Sequence, residues 1–226
     1  MSVTAVLLRL FKPIVLWVLA ILTAVEVIAV VAILSVGPIK FSFWLVVFGA
    51  AAKYWPLVAG ILLVSMYFRL FASNGITRHE FLRGLAVFWL GIIFVVAALV
   101  VLGHAAESVV LGLLDQRGDG YPVFRFGEAA SEFFHVLPGT AGYLTSGILI
   151  AAGFYRFRPW TGVLLIIPGA VPAGVAEGLI KIDEFGHLTQ RLPLAIALTI
   201  SLAATVAGGL ATHRLMRDVA IRRATG

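Results

Sequence analysis

The chain of 226 residues contains no cysteine, which excludes disulfides, thiolate metal ligands and cysteine nucleophiles without assigning a compartment. Charge is nearly as scarce: Asp, Glu, Lys and Arg make up 12% of the residues, about half their share in a soluble domain. Signatures of common chemistries are missing too. Without GxxxxGK[ST] the chain lacks the usual cradle for ATP phosphates, so energy, if used, comes from another subunit or an ion gradient. HExxH is absent, and Glu132 with His135, three residues apart, forms no compact ligand set. His104, His135 and His187, with Glu107, Glu132 and Glu177, therefore read as interface residues satisfied by water or headgroups, not as a metal site. Ser146 sits in TSGI and not in GxSxG, which leaves a serine hydrolase without support.

What is abundant is apolar sequence. With 61% hydrophobic residues and a mean hydropathy of +1.05, the chain cannot hide its side chains in one water-soluble core. The apolar residues fall in long blocks, and a membrane span needs roughly 20 of them in a row. Six spans are expected, near 14–36, 56–72, 84–103, 134–154, 161–176 and 192–212. The first follows Arg9 and Lys12 but is too long for a signal-peptide core, so it reads as a retained helix. The apolar stretch 41–52 could lengthen the second span or lie at the interface, ending at Lys53, Tyr54 and Trp55; the interfacial lead-in is the preferred reading. The expected fold is all-α: one polytopic domain over 1–226, with short segment 1–13, external segment 104–132 and tail 213–226.

The basic residues set the orientation. With both termini inside, the cytoplasmic side holds Arg9, Lys12, Arg69, Arg78, Arg83, Arg156, Arg158, Arg214, Arg217, Arg222 and Arg223, eleven in all, against six outside. Those six are Lys40, Lys53, Arg117, Arg125, Lys181 and Arg191. Positive-inside topology explains the net charge of +6 better than a nucleic-acid surface does, so no nucleic-acid partner is expected. Glu107, Asp115, Asp119, Glu128, Glu132, Glu177, Asp183 and Glu184 fall outside. RGDGYP at 117–122 reads as a turn and not as an adhesion tripeptide.

The most informative polar stretch is FASNGITRHEFLRG, 71–84, on the inner side. Ser73 or Asn74 can cap a short helix, Gly75 permits a tight turn, and Thr77 with Glu80 spells a capping box. The expected product is a short helix lying across the membrane face, with Arg78, His79 and Arg83 basic and Ile76 and Phe81 free to plug a partner's groove. Through Gly75, Thr77, Arg78 and Phe81, in a chain of this length and topology, the sequence resembles permease subunits of ATP-binding-cassette exporters of the second, drug and polysaccharide exporting class. The resemblance implies that Ser73, Asn74, Gly75, Ile76, Thr77, Arg78, His79, Glu80 and Phe81 form a coupling helix seated in a cleft of a separate ATPase chain. ATP and Mg would belong to that chain, and a second permease copy or a related permease would complete the assembly among the lipids of the cell membrane. Such permeases often carry an amphipathic helix before the first span, for which residues 3–11 offer two turns. They also carry re-entrant external helices before the last span, for which only 177–191 remains. An ordinary capped loop that holds topology is the alternative.

Within the spans, Pro168 and Pro172 predict a broken or kinked fifth helix, which can gate a route or simply pack. Ala195, Thr199, Ala203, Ala207 and Ala211 form a small-residue stripe expected to pack against a neighbouring helix, as are Gly142 with Ser146 and Gly147 with Ala151. Glu26 is the acid well inside a span, where it reads as lining a polar path or as held by Thr23 or a base from another helix. The functional expectation is a non-catalytic permease subunit of an ATP-driven exporter of amphipathic or hydrophobic cargo. An enzyme acting on lipid-linked substrates and a non-catalytic assembly or sensor subunit are the alternatives.

Overall fold

Serines start the first two long helices. The Ser2 hydroxyl accepts from the Ala5 N–H at 3.3 Å and opens α1 (Val3–Leu34), which runs unbroken through Pro13. The Ser42 hydroxyl accepts from the Leu45 N–H at 3.1 Å and opens α2 (Phe43–Leu62). These N-caps satisfy donors that a helix start otherwise leaves bare. The computed structural model describes residues 2–35, 37–183 and 185–217; Val36, Glu184 and the tail with Arg222 and Arg223 lie outside them. α2 continues through a π-helical turn at Leu63–Tyr67 into α3 (Phe68–Ser73). After a four-residue turn comes α4 (Arg78–Leu113), then α5 (Ala129–Arg156), preceded by a 3-10 turn at Phe126–Glu128. Three short helices follow, α6 (Pro159–Leu164), α7 (Ile166–Gly169) and α8 (Val171–Leu179). An antiparallel hairpin, β1 (Ile180–Ile182) with β2 (Leu188–Gln190), leads to α9 (Leu194–Arg217).

Five helices are long and apolar enough to cross a membrane, Val3–Leu34, Phe43–Ser73, Arg78–Leu113, Phe126–Arg156 and Leu194–Arg217, and the protein is a nearly all-helical, membrane-embedded chain. At about 1.5 Å per residue α4 spans roughly 54 Å, well beyond a hydrocarbon core of about 30 Å.

Two ends of the bundle can be told apart. At the turn pole, around residues 74–77, the Thr4 hydroxyl donates to Gly84 O at 3.1 Å and Arg78 Nη1 donates to Arg217 O at 3.3 Å. Thus α1 begins where α9 ends. At the hairpin pole the Ile39 N–H donates to Gln116 O at 2.9 Å, and the Ser42 N–H to Phe185 O at 3.3 Å. Five crossings alone would leave the described ends at opposite poles. The segment 159–179 makes up the difference by running from the turn pole back to the hairpin pole in three pieces.

α5 is the hub, packed against α2, α4, α8 and α9. α1 is its opposite: only Val3, Leu7 and Phe11 are buried, while Trp17 is 71% exposed. An aromatic cluster ties the turn pole together, with Phe11 and Phe88 ring centres 5.2 Å apart and Phe68 5.2 Å from both Phe81 and Tyr155.

Several expectations change here. Residues 43–52 lengthen the second helix outward and do not lie flat as an interfacial lead-in, because Trp44, Leu45 and Phe48 are buried in the bundle. Segment 1–13 is part of α1, and helix α4 occupies segment 104–132 as far as Leu113. Residues 177–191 form the end of α8 and the hairpin, not a re-entrant helix; Asp183 Oδ1 accepts from the Phe185 and His187 N–H groups at 2.9 and 2.8 Å and fixes the turn. On α9 the residues facing the bundle are Ala197, Ser201, Thr205, Gly208, Thr212 and Met216. The stripe Ala195, Thr199, Ala203 and Ala207 is exposed instead, with Ala211 half-buried.

Candidate functional site

The turn between α3 and α4 joins two finished helix ends. At the end of α3 the Ile76 N–H donates to Phe71 O at 3.1 Å and the Gly75 N–H to Ala72 O at 3.2 Å, the paired bonds of a Schellman motif. That motif places Gly75 at a φ of +78°, open to a residue without a Cβ. The Asn74 amide and Ser73 hydroxyl add bonds to Leu70 O at 2.7 and 2.9 Å. Two residues later Thr77 caps α4: its hydroxyl accepts from the Glu80 N–H at 3.3 Å, and the Glu80 carboxylate accepts from the Thr77 N–H at 3.0 Å. The capping box read from the sequence is present in full.

The expected transverse helix is absent, because α3 ends at Ser73 and α4 begins at Arg78, leaving only a turn between them. Ser73, Asn74, Gly75, Thr77, His79 and Glu80 are exposed, and Ile76 and Arg78 are half-buried. Phe81 is 1% exposed and packs on Phe68 and Phe71, so it clamps the turn from within and cannot plug a partner's groove. Basic side chains gather round the turn. Arg156 Nη1 donates to Leu215 O at 2.6 Å, Arg69 lies 5.7 Å from the Tyr155 ring centre, and His79 is 6.4 Å from His213. Arginines on the last carbonyls of α9 also sit at the negative end of its dipole.

Pro168 and Pro172 do break the 159–179 segment, at Leu165 and Ala170. The freed Ala173 N–H donates to the Ser146 hydroxyl of α5 at 3.1 Å, the rescue by a neighbouring helix that such a break needs in a membrane. A Cβ on Gly142 would stand 2.6 Å from Pro172 O, so α8 and α5 meet backbone to backbone. Pro168, Pro172, Ala204, Ala207, Gly208, Ala211 and Arg214 border an apolar crevice of about 520 Å³ between the broken segment and α9.

The hairpin pole carries the buried polar groups. Glu107 accepts from the Ser42 hydroxyl and from the Phe43 N–H, the latter at 2.9 Å. Burial, with Glu107 beside it, holds the Tyr121 phenol well above its usual range. The Arg117 guanidinium donates to Ser108 O, which locks the 117–122 turn to α4. His104 is 4% exposed; Nδ1 contacts Glu132 Oε2 at 2.9 Å and Nε2 contacts Pro122 O at 2.8 Å. It is therefore a buried, paired histidine and not an interface residue. Lys53 Nζ is 2.7 Å from Glu177 Oε2. Glu26, half-buried on α1, has as its electrostatic neighbour another acid, Glu107.

Sequence reasoning missed the π-helical turn at 63–67, a feature that recurs at functional sites, and the pairing of His104 with Glu132. No local pattern encodes either, since the first is a register shift within a uniformly apolar run and the second joins residues 28 apart. Among the described residues no group of three His, Asp or Glu is arranged to hold a metal. Compared with protein-family models, with curated proteins and with solved structures, the chain matches none.

Proposed function

We propose that this chain is the permease subunit of an ATP-driven exporter, embedded in the cell membrane as a homodimer or beside a related permease and driven by two separate ATPase chains. In this reading the segment 159–179 is a sixth crossing, and both termini face the cytoplasm together with the arginines of the turn pole. The observation that carries the reading is the turn at 74–77. It is exposed at its apex, saturated with hydrogen bonds at both flanks, and continuous with the second and third crossings. Force applied there by an ATPase would enter α3 and α4 as rigid levers, and the aromatic clamp of Phe68, Phe71 and Phe81 would make them move together. The π-helical turn at Leu63–Tyr67, about two helical turns away, gives α2 a place to bend. Amphipathic or hydrophobic cargo would move along the crevice beside the broken segment.

Co-expression with a cognate ATPase and purification in gentle detergent tests the assignment, a stoichiometric complex being expected. Arg78→Glu and Gly75→Trp should abolish ATPase docking while membrane insertion persists. Gly75→Ala separates backbone strain from blockage, because the surroundings of Gly75 are open. Full docking and transport by both Arg78→Glu and Gly75→Trp would remove the coupling role.

A further inference from the structure

We propose that the fissure between α4 and α9 at the turn pole seats an anionic phospholipid, with one acyl chain in the fissure and the phosphate at its basic mouth. The fissure has a volume of about 260 Å³, less than the roughly 300–1,000 Å³ of sites that enclose a whole small molecule. Leu85, Ala86 and Trp89 of α4 form one wall, Gly209 and Leu210 of α9 the other, and Ile148 of α5 the floor. Val206 and Leu210, 58% and 57% exposed, leave its long side open toward the bilayer. An occupant therefore enters from the lipid and is held on three sides.

The lining is almost wholly apolar. The Thr145 and Thr212 hydroxyls, which border it, donate to Ala141 O at 2.8 Å and to Gly208 O at 3.0 Å within their own helices, so neither offers a proton to an occupant. Trp89 follows Arg78 by eleven residues, about 16 Å along α4 and close to half of a hydrocarbon core of about 30 Å. The fissure is thus one leaflet deep, the reach of one acyl chain.

Its mouth is basic. Arg78, Leu82, Leu85 and Trp89 follow one another at helical spacing on one face of α4, so Arg78 stands at the turn-pole end of that wall. Arg78 Nη1 donates to Arg217 O at 3.3 Å, which carries the guanidinium across to α9, and no carboxylate among the described residues pairs with it. His213 lines the fissure itself, and His79 lies 6.4 Å from it, ring centre to ring centre. Glu80, the acid of this stretch, is spent on the Thr77 N–H and hydroxyl at 3.0 and 2.8 Å. The rest of the Arg78 fork and the two imidazoles are left to donate to a phosphate. Basic groups at the end of a groove between crossings suit an anionic headgroup. A headgroup alone would gain that charge and forfeit the fissure, and a zwitterionic lipid the reverse. The site does not depend on the transport reading, since it needs neither an ATPase nor cargo.

Delipidated full chain in mild detergent, titrated with phosphatidylglycerol carrying brominated acyl chains, tests the site through quenching of Trp89. Saturable quenching is expected, lost in Trp89→Phe. Brominated phosphatidylcholine should bind about fivefold more weakly or worse, the equivalent of one basic contact at a membrane surface. Arg78→Gln combined with His213→Gln should erase that preference. Ala86→Phe, at an exposed position on the fissure wall, should block both lipids and melt as the parent does. Glycerol phosphate, the headgroup without chains, should not compete. Equal affinity of the parent for the two lipids overturns the proposal, as does a preference that persists in the double variant. So does saturable quenching that survives Trp89→Phe, parental binding by folded Ala86→Phe, or competition by glycerol phosphate.

Discussion

Gly60→Ala is the sharpest probe of how this bundle is held together. α2 and α5 touch backbone to backbone: a Cβ on Gly60 would lie 2.6 Å from Leu144 O and 2.9 Å from Ile148 N. From the other side, a Cβ on Gly147 would lie 2.9 Å from Leu57 C and closer still to Leu57 O. Backbone cannot rotate aside, and ordinary contacts lie near 3.5 Å, so the helices must part by about 1 Å along this seam. Overpacking of this kind costs about 1–3 kcal/mol. For a chain of this size that is a fall in Tm of about 2–12 °C. Gly60→Ala and Gly147→Ala push the same two helices apart, so the double variant should lose less than the sum of the singles. Gly91→Ala is the control, since nothing lies within 4 Å of its added methyl and helix propensity favours Ala by up to about 1 kcal/mol. Thermal unfolding of purified protein in a mild detergent, followed by intrinsic fluorescence, reads all four. A Gly60→Ala variant as stable as the parent, or a Gly91→Ala variant equally damaged, would refute the close seam.

Thr77→Ala removes the capping box at the start of α4 and should cost about 0.5–2 kcal/mol, read as a lowered Tm. Ser42→Ala deletes both the cap of α2 and a donor to buried Glu107; a loss of about 1–3 kcal/mol is expected, larger than for Thr77→Ala because Glu107 is left underpaired. Glu26→Gln should leave Tm unchanged or raised, because the charged neighbour felt by Glu26 is the acid Glu107; a fall in Tm would reveal a cationic partner for it. Transport measured in the same variant separates a polar path from a merely tolerated carboxylate.

The helices were legible because each signal is local: apolar runs of fixed length, Thr77 with Glu80, and the two prolines of the 159–179 segment. Gly142, Gly60 and Gly147 show the limit of that legibility. Small residues announce a close contact but not its partner, which depends on how helices far apart in sequence pack. The α9 stripe failed for the same reason, since alanines pack well against protein and sit equally well against lipid. The interfacial lead-in failed because Lys53, Tyr54 and Trp55 suit a headgroup region, while the stretch before them is buried and the Trp44 indole N–H donates to Val100 O at 2.9 Å inside the bundle. Phe81 in an exposed-looking polar stretch proved to be the floor of the turn. The candidate site at the turn was therefore legible in its capping chemistry and not in its shape.

How burial is distributed decides which parts can move. In α5, 83% of the most apolar window is covered by protein, against 22% in α9 and none in α1. A helix covered on nearly every side is held by contacts that must all break together, whereas one covered on one side can slide or tilt at small cost. α5 with α2, joined at the glycine seam, is therefore the fixed frame. α9 leans on α5 through small residues such as Gly208, whose added Cβ would stand 2.8 Å from Thr145 Cγ2 and 3.0 Å from Pro172 Cγ. The broken segment between them has surrendered part of its helical hydrogen bonding to the Ser146 hydroxyl, a bond that can be made or released without unfolding a turn. α8 is seated on α5 backbone to backbone at Gly142, so a change in crevice width would be carried by α7 and α9 moving against an α2–α5–α8 frame. Ser146→Ala, which leaves the Ala173 N–H without its partner, should loosen α8 within that frame, read as a lowered Tm.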